Sequence, residues 1–72
     1  MVNVRHSDLD TVLDLDVVKD EVSRVEELLG KDGRLVLRKS GTEPLIRVMI
    51  EAKNGETAVA LANSLSEVIR AN

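Results

Sequence analysis

Two apolar–polar alternations, separated only by the residues Ser40 to Pro44, constrain the fold of this chain more than any other feature. In 34–39, Leu35 and Leu37 fall on one face of an extended strand, and Arg34, Val36 and Arg38 fall on the other. In 45–52, Ile46, Val48, Ile50 and Ala52 share a face, while Arg47, Met49 and Glu51 share the opposite one. Pro44 is tolerable at the first position of the second strand, where it removes no interior ladder bond. The simplest arrangement is an antiparallel hairpin with one apolar face, and that face must be covered by something.

The flanking residues supply the cover. From Asp16 to Leu29 the apolar positions Val18, Val22, Val25 and Leu29 step by four, three and four, which is one stripe of a helix ending at Gly30. Lys31, Asp32 and Gly33 then form a turn into the first hairpin strand. After a turn at Asn54 and Gly55, the positions Ala58, Leu61, Ala62, Leu65, Val68 and Ile69 make a second apolar helix face. Val2 and Val4 alternate with Asn3 and Arg5 in a short strand entered almost at once from Met1, so the domain is expected to begin slightly upstream. Ser7 with Asp10 fits a capping box that opens a helical turn through Leu13. The order strand, helix, strand, strand, helix predicts an α+β two-layer sandwich, an antiparallel sheet with two helices packed on one face. With only 72 residues the chain is expected to be one domain, 1–72.

Composition narrows the functional classes. There is no cysteine, which excludes a disulfide framework and a thiolate metal site. Phe, Tyr and Trp are also absent, so the core is aliphatic and the aromatic platforms that stack single-stranded nucleic-acid bases are missing. A formal charge of -3 argues against a general nucleic-acid footprint, and any anion site must therefore be local. No run of about 20 apolar residues is available for a membrane span. The first residues lack the apolar stretch of a signal peptide, and a cytoplasmic location is expected.

The hairpin loop carries the chemistry. If Leu35 and Leu37 share the buried face with Ile46, Val48 and Ile50, then Arg38 and Arg47 both point to the opposite face. Two guanidinium groups there repel, and an anion accepting from both is the simplest compensation. Ser40 and Thr42 add hydroxyl donors, and Gly41 is expected to let the backbone bend so that successive N–H groups converge on one oxygen-rich ligand. A phosphate dianion matches that donor set.

The string from Arg38 to Met49, Arg-Lys-Ser-Gly-Thr-Glu-Pro-Leu-Ile-Arg-Val-Met, closely resembles the signature of the C-terminal domain of the α-D-phosphohexomutases, in the form carried by bacterial phosphoglucosamine mutases. The similarity extends to Val2–Arg5, to the approach from Gly30 to Leu37 and to the last helix. The resemblance implies a TATA-box-binding-protein-like fold and a four-domain parent enzyme, of which this chain would be the fourth domain. It implies that the parent interconverts glucosamine 6-phosphate and glucosamine 1-phosphate through a bisphosphate intermediate, on the route to cell-wall precursors. In that family a phosphoserine in the first domain reacts, a metal loop in the second holds Mg²⁺, and the present loop holds the phosphate that is not being transferred. Carried over by position, Arg38, Ser40, Gly41, Thr42 and Arg47 are the expected phosphate contacts, with Lys39 and Glu43 less firmly placed. The catalytic serine motif and the metal loop are absent from these residues, so the resemblance assigns this chain no catalytic residue and no metal ligand. The expected partners are a phosphosugar and the remaining domains of the parent, with neither nucleic acid nor membrane among them.

Other features have plainer explanations. Gly30-Lys31-Asp32-Gly33 has the spacing of an RNA-clamping Gly-x-x-Gly loop, but a strand follows where a helix is required. Asp8, Asp10, Asp14 and Asp16 lack the glycine and terminal glutamate of a calcium loop and read as helix-start carboxylates. His6 is the only histidine and reads as a strand-end residue. The alternative to an enzyme fragment is an independent module whose arginines dock an acidic or phosphorylated partner.

Overall fold

Gly30 and Gly33 bracket the turn that launches the hairpin, and each is a glycine for a different reason. The computed structural model describes residues 2–72; Met1, and the expectation that the domain begins just before it, lie outside the described residues. The elements run β1 (Val2–Arg5), α1 (Leu9–Asp14), α2 (Asp16–Leu29), a 3-10 turn (Gly30–Asp32), β2 (Arg34–Lys39), β3 (Leu45–Glu51) and α3 (Gly55–Ala71). Gly30 closes α2 with φ 59°, the only positive φ among the described residues, and glycine adopts it without a Cβ penalty. Gly33 is extended, but a Cβ there would collide with the Glu51 carbonyl oxygen and lie 2.9 Å from Leu29 Cδ2. The turn is thus packed directly against the end of β3.

The hairpin forms as expected, and β3 becomes the central strand of an antiparallel sheet in the order β1-β3-β2. The chain leaves β1, crosses through the helices to β2 and then returns between the two, a split βαβ arrangement. Helices α2 and α3 pack together on one face, giving the predicted α+β two-layer architecture. The main core joins Val4, Ile46 and Val48 of the sheet to Val12, Val18, Leu65 and Ile69 of the helices. Val25, Leu29 and Leu61 form a second cluster under Leu35 and Ile50. Leu65 and Ile69 are fully buried, each worth about 1.5–3 kcal/mol relative to exposure, so α3 is held mainly by these positions.

Local signals set the helix ends, with one correction. Asn54 caps α3, its side-chain oxygen accepting from the Glu56 and Thr57 N–H groups at 2.8 and 3.4 Å. The cap of α1 is Asp8, accepting from Thr11 N–H, and not the expected Ser7. The Asp8 carboxylate reaches Thr11 N–H at 3.4 Å while its own N–H donates to His6 Nδ1 at 2.9 Å, which fixes the turn ahead of the helix. Three buried positions escaped the periodicity argument: Val12 of α1, Ser66 and Leu45. Ser66 is buried on α3 and satisfies its hydroxyl on the Ala62 carbonyl at 2.7 Å. Leu45 is 9% exposed although its parity places it on the face away from the helices, where the register sets it opposite Arg5.

One polar cluster joins the two long helices. Arg24 forks onto Glu21 at 2.6 and 2.9 Å, and the Ser64 hydroxyl of α3 donates to the same carboxylate at 2.6 Å. The Glu21 side chain is only 11% exposed. The Arg24 hydrogen bond, helped by Ser64 and opposed by partial burial, lowers the Glu21 pKa from 4.5 to about 2. A depressed carboxyl stabilises the fold above its unfolded pKa and loses that contribution as the pH falls from about 4.5 towards about 2. Glu21→Gln is therefore expected to lower stability at pH 7 by on the order of 1–2 kcal/mol, discounted because solvent screens the half-exposed Arg24. It should also flatten the acid limb of a urea-denaturation profile across that pH window. An unchanged acid limb would assign the acid sensitivity to other carboxylates.

Candidate functional site

The register of the hairpin decides which residues meet at the loop. Arg38 stands directly opposite Arg47, with Leu37 paired to Val48 and Lys39 to Ile46 on either side. Since Leu37 and Val48 face the helices, Arg38 and Arg47 project from the uncovered face, and both are exposed. Like charges directly across an antiparallel pair destabilise it, so the sheet gains nothing from this pairing. The two cations, Lys39, Ser40 and Gly41 line one hollow of about 210 Å³.

The loop backbone leaves donors uncommitted. Ser40 N–H is used, donating to the Leu45 carbonyl at 2.9 Å, and Thr42 N–H has only a long 3.4 Å contact with Ser40 Oγ. Among the described residues, the Gly41 and Glu43 N–H groups have no acceptor. Gly41 departs from the sequence reading in its reason. Its φ is not positive, and a Cβ there would meet nothing within 4 Å, so the fold itself does not require glycine at this position. The loop is open enough to turn without it. Thr42 is exposed and does not line the hollow, so four of the five expected contacts share it and the fifth stands beside it.

Lys39 and Glu43 are both engaged elsewhere. Lys39 has the parity of the helix-facing residues, and its Nζ pairs with Asp10 of α1. Glu43 accepts from Arg5 Nη2 at 2.6 Å. Arg5 and Asn3 were missed as neighbours of the site. The alternation of Val2 and Val4 already put them on the open face, but only the insertion of β3 beside β1 brings Asn3 opposite Arg47 and Arg5 opposite Leu45.

A larger hollow of about 270 Å³ lies across the loop among His6, Asp8, Asp10, Lys39, Ser40 and Pro44. Its polar groups are paired with one another, Asp10 with Lys39 and His6 Nδ1 with Asp8 N–H, and no hydrogen bond links Ser40 to His6. That leaves no nucleophile–base pair in it. Asp14 pairs with Lys19, and among the described residues no three His, Cys, Asp or Glu side chains are grouped closely enough to hold a metal ion. Among these residues, too, no helix is long and apolar enough to cross a membrane.

This is an antiparallel α+β domain that sets opposed arginines beside a Ser-Gly-Thr loop, a donor set suited to an anion. Residues 1–68 match the family described as phosphoglucomutase/phosphomannomutase, C-terminal domain, and the chain belongs to that family. Phosphoglucosamine mutase from Leifsonia xyli subsp. xyli is 51% identical over 70 residues, covering 97% of this chain and 16% of that protein. The enzyme from Natranaerobius thermophilus is 47% identical over the same coverage. Phosphoglucosamine mutase 1 from Shewanella amazonensis is 46% identical over 71 residues, 99% of this chain and 16% of that protein. The chain thus spans 16% of the length of the curated relatives it matches.

Proposed function

We propose that residues 1–72 act as one domain, the substrate-phosphate-binding domain of a cytoplasmic phosphoglucosamine mutase that interconverts glucosamine 6-phosphate and glucosamine 1-phosphate. Arg38, Ser40, Gly41, Thr42 and Arg47 hold the phosphate that is not being transferred. The observation that carries this reading is the direct opposition of Arg38 and Arg47 on the uncovered sheet face, beside the Gly41 and Glu43 N–H groups, from which none of the described residues accepts. A dianion relieves the repulsion and takes the free donors in one step. The relatives' name supplies the sugar, and their length supplies the other domains.

On this reading the domain's contribution is positional. Holding the remote phosphate fixes which end of the sugar faces the reacting group, so binding energy far from the chemistry lowers the barrier. Donors arranged around a symmetric dianion can accept either phosphate of a bisphosphate intermediate, which has to turn over between the half-reactions. The isolated domain binds and does not catalyse. On this reading Mg²⁺ belongs to another domain of the parent; among the described residues no three His, Cys, Asp or Glu side chains are grouped closely enough to hold it.

Titration of the chain with inorganic phosphate or glucosamine 6-phosphate, followed through backbone amide signals, is expected to move Gly41 and Thr42 first. If both stay in place at high ligand, the loop assignment is wrong. Gly41→Ala sharpens the test, because its new methyl group would stand in open space and leave thermal stability unchanged. It should still weaken binding about tenfold or more by blocking close approach to the N–H groups. Equal affinity in that variant would move the anion away from Gly41.

A further inference from the structure

The end of β1 touches the far half of the loop through two contacts that phosphate binding itself does not use. Arg5 Nη2 donates to Glu43 Oε2 at 2.6 Å, and His6 N–H donates to the Pro44 carbonyl at 3.0 Å. Together they fasten Glu43 and Pro44 to the edge strand, while Gly41 and Thr42 keep their N–H groups nearly free. Without the Arg5 contact, the loop beyond Thr42 keeps, among the described residues, only the His6–Pro44 hydrogen bond to the end of β1.

We infer that Arg5 is a positioning residue for the phosphate loop, acting through Glu43, whose carboxylate it anchors to β1 so that the loop donors are held in place. The inference rests on the phosphate reading above. Arg5 and Glu43 are 68% and 49% exposed, so their ion pair is of the weak, surface kind and its effect on binding is bounded at about fivefold. The sign of the effect distinguishes positioning from bulk electrostatics. Charge counting alone says that Glu43→Gln, which removes a negative charge beside an anion site, tightens binding. Positioning says that it loosens binding, because the loop loses its anchor to β1.

The test titrates the 72-residue chain and its Arg5→Gln, Glu43→Gln, doubly substituted and Arg47→Ala variants with inorganic phosphate at about 0.15 M salt. Arg5→Gln and Glu43→Gln are each expected to weaken binding about threefold to fivefold, and the double variant no further, because the two act as a unit. The charge-reversed pair Arg5→Glu with Glu43→Arg should recover most of the loss, which a merely packing role for either side chain would not produce. Tighter binding by Glu43→Gln, additive losses in the double variant, or unchanged affinity in both single variants would overturn the inference while leaving the phosphate site standing. A wild-type chain that shows no response to phosphate, or an Arg47→Ala variant that binds as well as wild type, would remove the phosphate reading and this inference with it.

Discussion

Replacing Arg47 by alanine in the full-length enzyme is expected to lower kcat/KM for the phosphosugar by about two to three orders of magnitude while leaving the domain at least as stable as before. The two halves of that statement have separate causes. An arginine that grips a phosphate through both arms of its fork makes two charge-assisted hydrogen bonds, each worth about 1.5–3 kcal/mol, and each 1.36 kcal/mol lost is a factor of ten. Arg47 contributes little to the fold, being exposed on a sheet face that no helix covers and set opposite another arginine. Removing it relieves a like-charge pair, which raises stability by about 0.2–1 kcal/mol at low salt. Arg47→Lys keeps the charge without the planar fork and should fall between wild type and alanine in rate. Steady-state kinetics beside a melting curve checks both halves. Wild-type kinetics in the alanine variant would end the mechanistic role, and a collapsed melting curve would mean that Arg47 supports the fold in a way its exposure does not suggest.

This opposition of effects is why so much of the site was legible in the sequence. Residues kept for the fold follow its periods, and the strand alternation correctly assigned Ile46 and Val48 to the core and Arg38 and Arg47 to the open face. The stripe of Val18, Val25 and Leu29 located α2 for the same reason. Periodicity is a local property, however, and says nothing about which strands become neighbours. That β3 lies between β1 and β2 follows from how the helices pack, so the nearness of Arg5 to Glu43 could not be read from residues 38 positions apart. Leu45 escaped for a related reason, since its parity is that of the open face and its burial depends on its neighbours there. Gly41 reads as a bend residue on chemical type, whereas its backbone needs no glycine and its surroundings are open. Lys39 and Glu43 have the charge of site residues or competitors, and only their partners Asp10 and Arg5 show how each is occupied.

Gly33→Ala is expected to be the most damaging conservative substitution outside the core, costing about 2–3 kcal/mol. Its methyl group would strike the Glu51 carbonyl oxygen, a backbone atom held in β3, and crowd Leu29 at 2.9 and 3.2 Å. A flexible side chain could swing away from such a contact, but a strand in the middle of a three-stranded sheet cannot. Relief would require the start of β2 to lift from β3, opening the pairing of Arg34 with Glu51 and moving Leu29 out of the second core cluster. Against a total stability of roughly 4–11 kcal/mol for a domain of this length, the loss is large. It should appear as a melting temperature lower by about 10–20 °C. The consequence reaches the site because the hairpin has one register: a slip of β2 by one residue would turn Arg38 to the helix face and Leu37 to solvent, parting Arg38 from Arg47. Gly33→Ala should therefore weaken phosphate binding only to the extent that it unfolds the domain, with affinity per folded molecule unchanged, whereas Gly41→Ala should weaken binding in a fully folded one. A melting temperature within two or three degrees of wild type for Gly33→Ala would show that the turn does not pack against β3 as described.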